Sequence, residues 1–454
     1  MSQKIYTAIT FAPVQGFIEK SRKLRDLYGS SLLLSFLAEV ICRGAKQKNH
    51  RLVSPALVNN AKGTPNQIIV RGQYSDVPTL FTKTWKMIVD TCQTAIEQEY
   101  LPNESYCWHR AWQAWGNYTW EFFSATGETI NDARKNVSEH KRQRDWTGIN
   151  WQGESSSLSG VDGVAWPGMD RMNPNQNYDH EINQFWQKLA QALPDSIIDI
   201  GDENETGQGE KLSIPELIKR LILLDHVKNQ INQKIHNLII NQPPSIQKPP
   251  SFKELNRREN KEWTGWFMGD GDKMGEYLTE IGDNGEQLYQ FSRRLIEWGK
   301  ALEKELDALK ITEVDHRIVY AGGDDFFGIL SARENTESFK PQYCLPLLYQ
   351  LHDRLWVEKL SNSLKNEFNL QRDLTPSVGF VWAAPSVPQR DVLQHCRETE
   401  KLAKNNGRDR LAIRILFNSG NHLDWHCPWW FLKDLLESYR DRDGQKIGHI
   451  FIMM

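Results

Sequence analysis

Apolar positions in the second half of the chain form short continuous runs and longer runs with helical spacing. Trp263–Met268 (WTGWFM) predicts a strand, and Gln287–Leu309 has the spacing of an amphipathic helix. Two further strand-like runs, Arg317–Ala321 and Phe326–Leu330, flank Gly-Gly-Asp-Asp and predict a hairpin. The pattern continues with a helix over 341–366, a strand over 376–383, a helix over 389–405 and a strand over 409–414. Up to the strand over 376–383 the order is βαββαβ, which is typical of a ferredoxin-like domain.

The first half of the chain opens with a similar alternation of strands and helices. The predicted elements are, in chain order, a strand over 5–11, helical segments over 14–27 and 31–42, a strand over 66–72 and a helix over 77–98. This alternation favours an α/β or α+β unit.

Residues 103–210 differ in composition from the segments on either side. Trp, Gly, Ser and Asn become common and the periodicity is lost, which indicates an inserted module with long loops. Its tryptophans have two interpretations, because aromatic rings can stack on nucleic-acid bases and can equally form a small core or a subunit interface. Beyond this module, Leu212–Ile231 predicts a helix and Asn241–Phe252 a proline-rich linker.

Composition narrows the class of protein. The 454 residues carry a formal net charge of −3, which gives no overall basic signature for nucleic acid. No apolar run approaches the roughly 18 residues of a membrane span, and the N-terminus does not have the layout of a signal peptide. The 6 cysteines include no C-x-x-C pair, which favours a reducing cytoplasm and argues against a zinc ribbon. We therefore expect a cytoplasmic protein without a membrane partner.

Two acidic motifs follow the predicted strands. Asp270 and Asp272 end the first strand in MGDGDKMG, and Asp324 and Asp325 form the turn of the hairpin. If the first strand lies beside the hairpin, two to four carboxylates meet at one end of a sheet. Such a cluster suits a hard divalent cation, Mg²⁺ or Mn²⁺, and such sites usually serve phosphoryl or nucleotidyl transfer. Gly-Gly-Asp-Asp alone would also fit a solvated hairpin tip, but that interpretation leaves the first acidic motif unexplained.

These motifs, in this order, resemble the large subunit of type III CRISPR effector complexes, most closely the III-B branch. The segments that carry the resemblance are FAPVQGFIEKSRKLRDLYGSSLLLS, GEKLSIPELIKRL, DGDKMG, GGDD and AKNNGRDRLAI. The resemblance implies two palm-like domains, related to GGDEF and nucleotide-cyclase palms, that face each other and bind two ATP molecules. It also implies synthesis of cyclic oligoadenylates when the complex holds target RNA. The implied partners are the other effector subunits, with guide RNA and target RNA bound through the complex.

The resemblance also assigns site residues. Asp270 and Asp324 are the main metal ligands for two Mg²⁺ or Mn²⁺ ions, with Asp325, Asp272 and the Gly271 carbonyl beside them. Asp270, Asp324 and Asp325 are accordingly the catalytic residues. The implied nucleotide-binding residues are Gly322, Gly323, Lys404 and Arg408 in the second palm, and Gln15, Ser21 and Arg22 in the first. Cations near a triphosphate offset its charge, and arginine adds bidentate geometry; taken alone, Lys404 and Arg408 would indicate only a solvated helix end.

The expected fold class is α+β, with two ferredoxin-like palms, an insertion and a helical C-terminal part. The expected domains are a first palm over 1–102, a Trp/Gly-rich insertion over 103–210, a helix and linker over 211–255, a second, catalytic palm over 256–415 and the start of a helical domain over 416–454.

Two departures from the family's pattern give further expectations. Many members begin with a histidine–aspartate nuclease domain, whereas here the palm motif starts at residue 5, so we expect no such nuclease. The dipeptide His352–Asp353 lies in a predicted helix without supporting ligands. The segment Ser155–Gly168 contains no cysteine, so we expect no zinc finger there.

The expected function is therefore an enzyme, a nucleotidyltransferase that makes cyclic oligoadenylates from ATP. Two alternatives stay open. The chain can be a scaffold that only holds RNA and partner subunits, or a stand-alone cyclase of the GGDEF type.

Overall fold

The computed structural model describes most of the chain, in two compact units. The described residues are 4–57, 63, 65–145, 147–194, 197–198, 209–247, 262–309, 311, 313–333 and 339–438. The first unit comprises residues 1–54 and 64–252, and the second comprises residues 55–63 and 253–454. This division into two units does not test the five expected domains, which stay a prediction.

The first unit is built around a four-stranded antiparallel sheet with the order β2-β3-β1-β4. Its strands are β1 (Tyr6–Ala12), β2 (Arg51–Ser54), β3 (Ile68–Arg71) and β4 (Glu121–Gly127). This is the strand order of a ferredoxin-like domain, as expected. β4 pairs along the whole of β1, from Tyr6 opposite Gly127 to Ala12 opposite Glu121. The sheet of the first unit thus extends beyond residue 102, because β4 lies in the segment that was expected to be an insertion.

The helices of the first unit pack around this sheet. They are α1 (Val14–Glu19), α2 (Leu24–Gln47), α3 (Val77–Thr94), α4 (His109–Tyr118), α5 (Ile130–Arg142), α6 (Asp179–Ala192), α7 (Ile214–Leu221) and α8 (Asp225–Ile235), and α3 continues as a π-helix over Ala95–Tyr100. The two helical segments predicted before residue 42 are largely one helix, α2. Its Gly29 marks a close contact with α7, since a Cβ there would lie 2.0 Å from the Lys219 carbonyl oxygen.

One described helix, α2, has the length and apolar composition to cross a membrane. However, 83% of its most apolar window is buried inside the protein, as in the core helix of a folded unit. Helix length and composition alone are weak support for a membrane span.

The tryptophans of the first unit include several core residues. Trp85, Trp108 and Trp112 are among the largest fully buried side chains. Trp108 packs edge-on against Trp112, with ring centroids 5.5 Å apart, and against Phe185 of α6. For these residues the core interpretation is confirmed, because a ring with no exposed surface has no face to offer a base.

The second unit contains a six-stranded sheet with the order β10-β9-β8-β5-β7-β6. Its strands are β5 (Thr264–Gly271), β6 (Val314–Ala321), β7 (Phe326–Ala332), β8 (Pro376–Ala383), β9 (Arg410–Leu416) and β10 (His422–Pro428). The part β8-β5-β7-β6 is the predicted ferredoxin-like sheet, and β9 adds to β8 in parallel. β10 was not predicted, because a helical segment was expected over 416–454. Its polar and exposed residues give no apolar strand signal.

The described helices of the second unit agree closely with the predicted pattern. They are α9 (Met274–Ile281), α10 (Gly285–Ala308), α11 (Pro341–Gln350), α12 (Asn362–Phe368), α13 (Gln389–Asn405) and α14 (Trp429–Ser438), and α11 and α12 are joined by a π-helix over Leu351–Ser361. Trp298 of α10 packs against Phe326 of β7 and Trp356 of the π-helix. This aromatic core lies directly behind the turn between β6 and β7.

Candidate active site

The two acidic motifs meet at one end of the second sheet. β5 pairs with β7 up to Gly269 opposite Phe326, so the residues after Gly269 lie beside the β6–β7 turn. The Gly271 N–H donates to the Asp324 carbonyl oxygen at 3.1 Å, and the Gly322 N–H donates to the Asp325 carbonyl oxygen at 3.0 Å. The predicted juxtaposition of DGD and GGDD is therefore confirmed by backbone hydrogen bonds.

Asp270 and Asp324 interact electrostatically. Burial, together with the neighbouring negative charge of Asp270, raises the pKa of Asp324 to about 7. Burial also raises the pKa of Asp270, while its hydrogen bond with Lys404 opposes that change. The negative charge of Asp270 thus disfavours the charged form of Asp324, and a buried carboxyl group beside another carboxylate favours a bound cation.

Asp325, the other acidic residue of the turn, is exposed. Its Oδ1 accepts a hydrogen bond of 3.0 Å from the Tyr320 hydroxyl. Tyr320 comes from β6, five residues before Asp325, and was not among the predicted site residues. It orients the second carboxylate of the motif.

Lys404 reaches this end of the sheet from the last turn of α13. Its ammonium lies 2.5 Å from Asp270 Oδ2 and 2.5 Å from Glu400 Oε1. Burial lowers the pKa of Lys404, but the hydrogen bond that it donates to Asp270 and its ion pair with Glu400 outweigh burial and raise the pKa above its ordinary value. Lys404 is therefore charged at neutral pH. Glu400 was missed by the sequence analysis, although its spacing of four residues from Lys404 is a helical ion-pair signal.

A glycine sets the distance of α13 from the sheet. A Cβ on Gly379 of β8 would lie 2.3 Å from the Glu400 amide nitrogen. Only glycine allows the helix backbone to come this close. The close packing brings Glu400 and Lys404 to the end of β5.

Asp272, an expected metal ligand, is buried. Its side chain is only 3% exposed, and its carboxylate accepts hydrogen bonds from Ser377 Oγ at 2.6 Å, Thr375 Oγ1 at 2.9 Å and the Asp409 N–H at 2.9 Å. Three donors already occupy its oxygens. In the structure Asp272 lies beside the carboxylate pair as an internal hydrogen-bond acceptor, and its expected role as a metal ligand stays a prediction.

Arg408 lies in the turn after α13 and is exposed. Its Nε is 3.9 Å from Asp272 Oδ1, and its guanidinium is free to reach outward at a side-chain exposure of 45%. Gly322 and Gly323 lie in the acidic turn itself, and nothing lies within 4 Å of an ideal Cβ on Gly323. Nucleotide contacts by these three residues stay a prediction.

The predicted nucleotide residues of the first unit fall into different environments. Ser21 is 2% exposed, its Oγ pairs with Ser30 Oγ at 3.0 Å, and Lys219 Nζ donates to it at 3.4 Å. Arg22 donates to the Ser159 carbonyl oxygen at 3.0 Å, whereas Gln15 is exposed. Ser21 is thus held inside the first unit by a lysine of the GEKLSIPELIKRL motif, and nucleotide contact by Ser21, Arg22 and Gln15 stays a prediction.

His352 and Asp353 lie in the π-helix, away from any ligand set. The His352 ring stacks on Trp429 with centroids 4.4 Å apart, and burial lowers its pKa to about 4. Stacking in an apolar environment accounts for this histidine.

The residues at the carboxylate pair fit a divalent cation. Within the described ranges, no group of three or more His, Cys, Asp or Glu side chains is arranged to hold a metal ion. Mg²⁺, however, is usually bound by one or two carboxylates together with substrate phosphates and water. Asp270 and Asp324 provide those carboxylates, and their mutual repulsion would be relieved by the ion.

Comparison with known families agrees with this geometry. The profile of the Cas10/Cmr2 second palm domain matches residues 264–412, and that of the N-terminal family of the CRISPR-associated protein Cmr2 matches residues 6–112. Together they cover more than half of the chain. The chain has a Cas10/Cmr2 palm domain, and it belongs to the Cas10/Cmr2 family of CRISPR-associated proteins. No curated protein matches the chain.

Solved structures share the fold at low sequence identity. A type III-B Cmr-β structure in its apo state, determined by cryo-EM, matches with a TM-score of 0.53 and 13% identity over 93% of this chain and 68% of that chain. Crystal structures of a Csm1–Csm4 cassette, one with cA4 and one with AMPPNP, match with a TM-score of 0.47 and 15% identity. They cover 96% of this chain, which spans 58% of the length of the matched chain.

Proposed function

We propose that the second unit is a metal-dependent nucleotidyltransferase that makes cyclic oligoadenylates from ATP within a type III CRISPR effector. Membership of the Cas10/Cmr2 family supports a role in such an effector. The observation that carries the proposal is that Asp270 and Asp324 lie at one end of the sheet, where the Gly271 N–H donates to the Asp324 carbonyl oxygen and Lys404 contacts Asp270. This arrangement combines two oxygen ligands for a cation with a charged group for phosphate.

The proposed reaction joins a ribose hydroxyl of one ATP to the α-phosphorus of another and releases pyrophosphate. Asp270 and Asp324 would hold two divalent cations, Mg²⁺ or Mn²⁺, together with the Gly271 carbonyl and Asp325. Bound there, these ions would lower the pKa of the attacking hydroxyl and neutralise the leaving pyrophosphate.

The chain's own residues bind and orient the nucleotide. Lys404 is charged and reaches the carboxylate pair, so its ammonium is available to a triphosphate oxygen once a cation neutralises Asp270. Arg408 is exposed one turn further on and offers a planar pair of donors to phosphate. The open space above Gly323 leaves room for a ligand at the turn. Neither motif contains a histidine, so the rate depends on positioning and charge neutralisation.

The proposed activity requires partners. The other effector subunits, guide RNA and target RNA would form the active complex in the cytoplasm, with target RNA as the trigger. The first unit would contribute its palm, in which Gln15 and Arg22 remain candidates for nucleotide contact.

Product analysis tests the proposal. The chain, assembled with its partner subunits and target RNA, is incubated with Mg²⁺ and either ATP or GTP, and the products are identified by mass spectrometry. We expect cyclic oligoadenylates from ATP and no product without target RNA. Cyclic dinucleotides from GTP would indicate a GGDEF-type cyclase, and the absence of product under every condition would indicate a scaffold.

A further inference from the structure

The turn that follows α13 has an unusual backbone. Gly407, Arg408 and Asp409 are consecutive residues with positive φ, at 118°, 62° and 49°. Arg408 and Asp409 carry side chains, and a residue with a side chain in this left-handed region is strained. Such strain persists only where neighbouring contacts impose the conformation.

The contact that imposes it comes from Asp272. Asp272 Oδ2 accepts the Asp409 N–H at 2.9 Å, and Oδ1 faces Arg408 Nε at 3.9 Å. The Arg408 N–H donates to the Ala403 carbonyl oxygen at 3.2 Å, which ties the turn to the end of α13. The buried carboxylate therefore acts directly on the turn that carries Arg408 and borders Lys404.

Asp272 is itself fixed from the start of β8. Ser377 Oγ and Thr375 Oγ1 donate to its two oxygens, and its own N–H donates to the Thr375 carbonyl oxygen at 2.8 Å. Together with the Asp409 N–H, these two hydroxyls surround the Asp272 carboxylate, whose side chain is only 3% exposed. Its orientation is thus set by β8 and is directed into the protein.

We propose that Asp272 is a positioning residue, which holds the Arg408–Asp409 turn and so places Arg408 and Lys404 for the nucleotide, and that it does not ligate the metal ion. This proposal rests on the proposed function, since it concerns the phosphate-binding cations of the same site. It gives the two aspartates of DGD different roles. Asp270 lies beside Lys404 and Asp324, whereas Asp272 holds the residues that follow α13.

Two binding measurements on the full chain distinguish the roles. Mn²⁺ binding is followed by the electron paramagnetic resonance of the free ion. ATP binding is followed by calorimetry at saturating Mg²⁺, so that a cation neutralises Asp270 and frees Lys404 for the triphosphate. We expect Asp270→Ala to weaken Mn²⁺ binding by about tenfold or more. Asp272→Asn keeps Mn²⁺ affinity within about threefold and weakens ATP binding by about tenfold, because a charge-assisted hydrogen bond is lost. Asp315→Asn, an exposed aspartate of β6, is the matched control and changes neither.

A rescue variant gives a readout that a metal ligand would not give. Glycine adopts positive φ without strain, so Asp409→Gly added to Asp272→Asn restores a large part of the lost ATP affinity. If Asp272→Asn does not fold, as judged by circular dichroism, Ser377→Ala replaces it. That variant removes one donor to Asp272 and is expected to weaken ATP binding by about threefold with Mn²⁺ binding unchanged.

The outcomes separate this inference from the proposed function. Loss of Mn²⁺ binding in Asp272→Asn, matching that in Asp270→Ala, overturns it and makes Asp272 a ligand. Unchanged ATP binding in Asp272→Asn or Ser377→Ala, or no recovery with Asp409→Gly, also overturns it. A wild-type chain that binds neither Mn²⁺ nor ATP would contradict the proposed function, and this inference with it.

Discussion

The ammonium of Lys404 lies 2.5 Å from Asp270 Oδ2, which joins the end of α13 to the end of β5. These two residues are 134 positions apart in the sequence. The pairing shows that the segment AKNNGR and the segment DGD lie together at one end of the sheet. In the proposed function, Lys404 is there the cation that binds phosphate.

Replacing Lys404 removes this cation. We predict that Lys404→Met weakens ATP binding by about tenfold to a hundredfold, because hydrogen bonds to charged groups contribute about 1.5–3 kcal/mol. Calorimetry with ATP measures the effect. Lys401→Met, an exposed lysine of the same helix, is the control and keeps wild-type affinity. Equal affinities for the wild type and Lys404→Met would remove Lys404 from the nucleotide site.

Gly379 tests the close packing of α13 on β8. A Cβ at this position meets the Glu400 amide nitrogen at 2.3 Å, so Gly379→Ala must push the helix away. We predict that the free energy of unfolding falls by about 1–3 kcal/mol and that ATP binding weakens as Lys404 moves. Gly275→Ala is the matched control, since nothing lies within 4 Å of its Cβ in helix α9. Denaturant unfolding of the two variants would refute the argument if Gly379→Ala were the more stable.

A buried ion network stabilises the first unit. Arg220 has no exposed side-chain surface, and its Nε donates to Asp26 Oδ1 at 2.7 Å. We predict that Asp26→Asn destabilises this unit by about 1.5–3 kcal/mol, because the buried guanidinium loses its charge-assisted hydrogen bonds to Asp26 and keeps only Glu210 as a charged partner. Hydrogen exchange of α2 and α7 reports the change. Asp76→Asn, whose ion pair with Lys48 is about half exposed, should change stability by less than about 1 kcal/mol.

The same network predicts a pH dependence. Burial raises the pKa of Glu210, but the charges and hydrogen bonds of Arg220 and Lys23 outweigh it and lower the pKa to about 2. A lowered carboxyl pKa stabilises the folded state fully above the ordinary value of 4.5, and the contribution is lost as the pH falls from there towards 2. Glu210→Gln should therefore be less stable than the wild type at pH 6, with a gap that closes towards pH 2. Thermal unfolding across this range measures it, and a gap independent of pH would contradict the assignment.

The second palm was predictable because its strands are apolar and its turns carry glycine. The strand over 376–383 and the helix over 389–405 have the predicted bounds, since a buried strand and an amphipathic helix each have a distinct period. β2, β4 and β10 were missed; β2 has only four residues. β4 has half-exposed residues in a Trp-rich segment, and β10 is mostly polar, so neither shows that period.

The sequence predicted which motifs lie together at the end of the sheet, but not the partners of each side chain. The pairing of Asp270 with Asp324 follows from strand order. The roles of Asp272 and Glu400 depend on tertiary contacts, with Ser377, Thr375 and Lys404, that no local pattern contains. The burial of Ser21 likewise depends on Lys219, which lies 198 positions away.

The proposed activity of the acidic turn is tested most directly by the double variant Asp324→Ala/Asp325→Ala in the assembled complex. Synthesis of cyclic oligoadenylates from ATP is measured at fixed Mg²⁺ and target RNA, beside the wild type and Asp315→Asn. We predict that the double variant makes no product, while its stability without metal is equal to or above that of the wild type, because removing like charges relieves repulsion. Retained synthesis in a folded double variant would contradict the account.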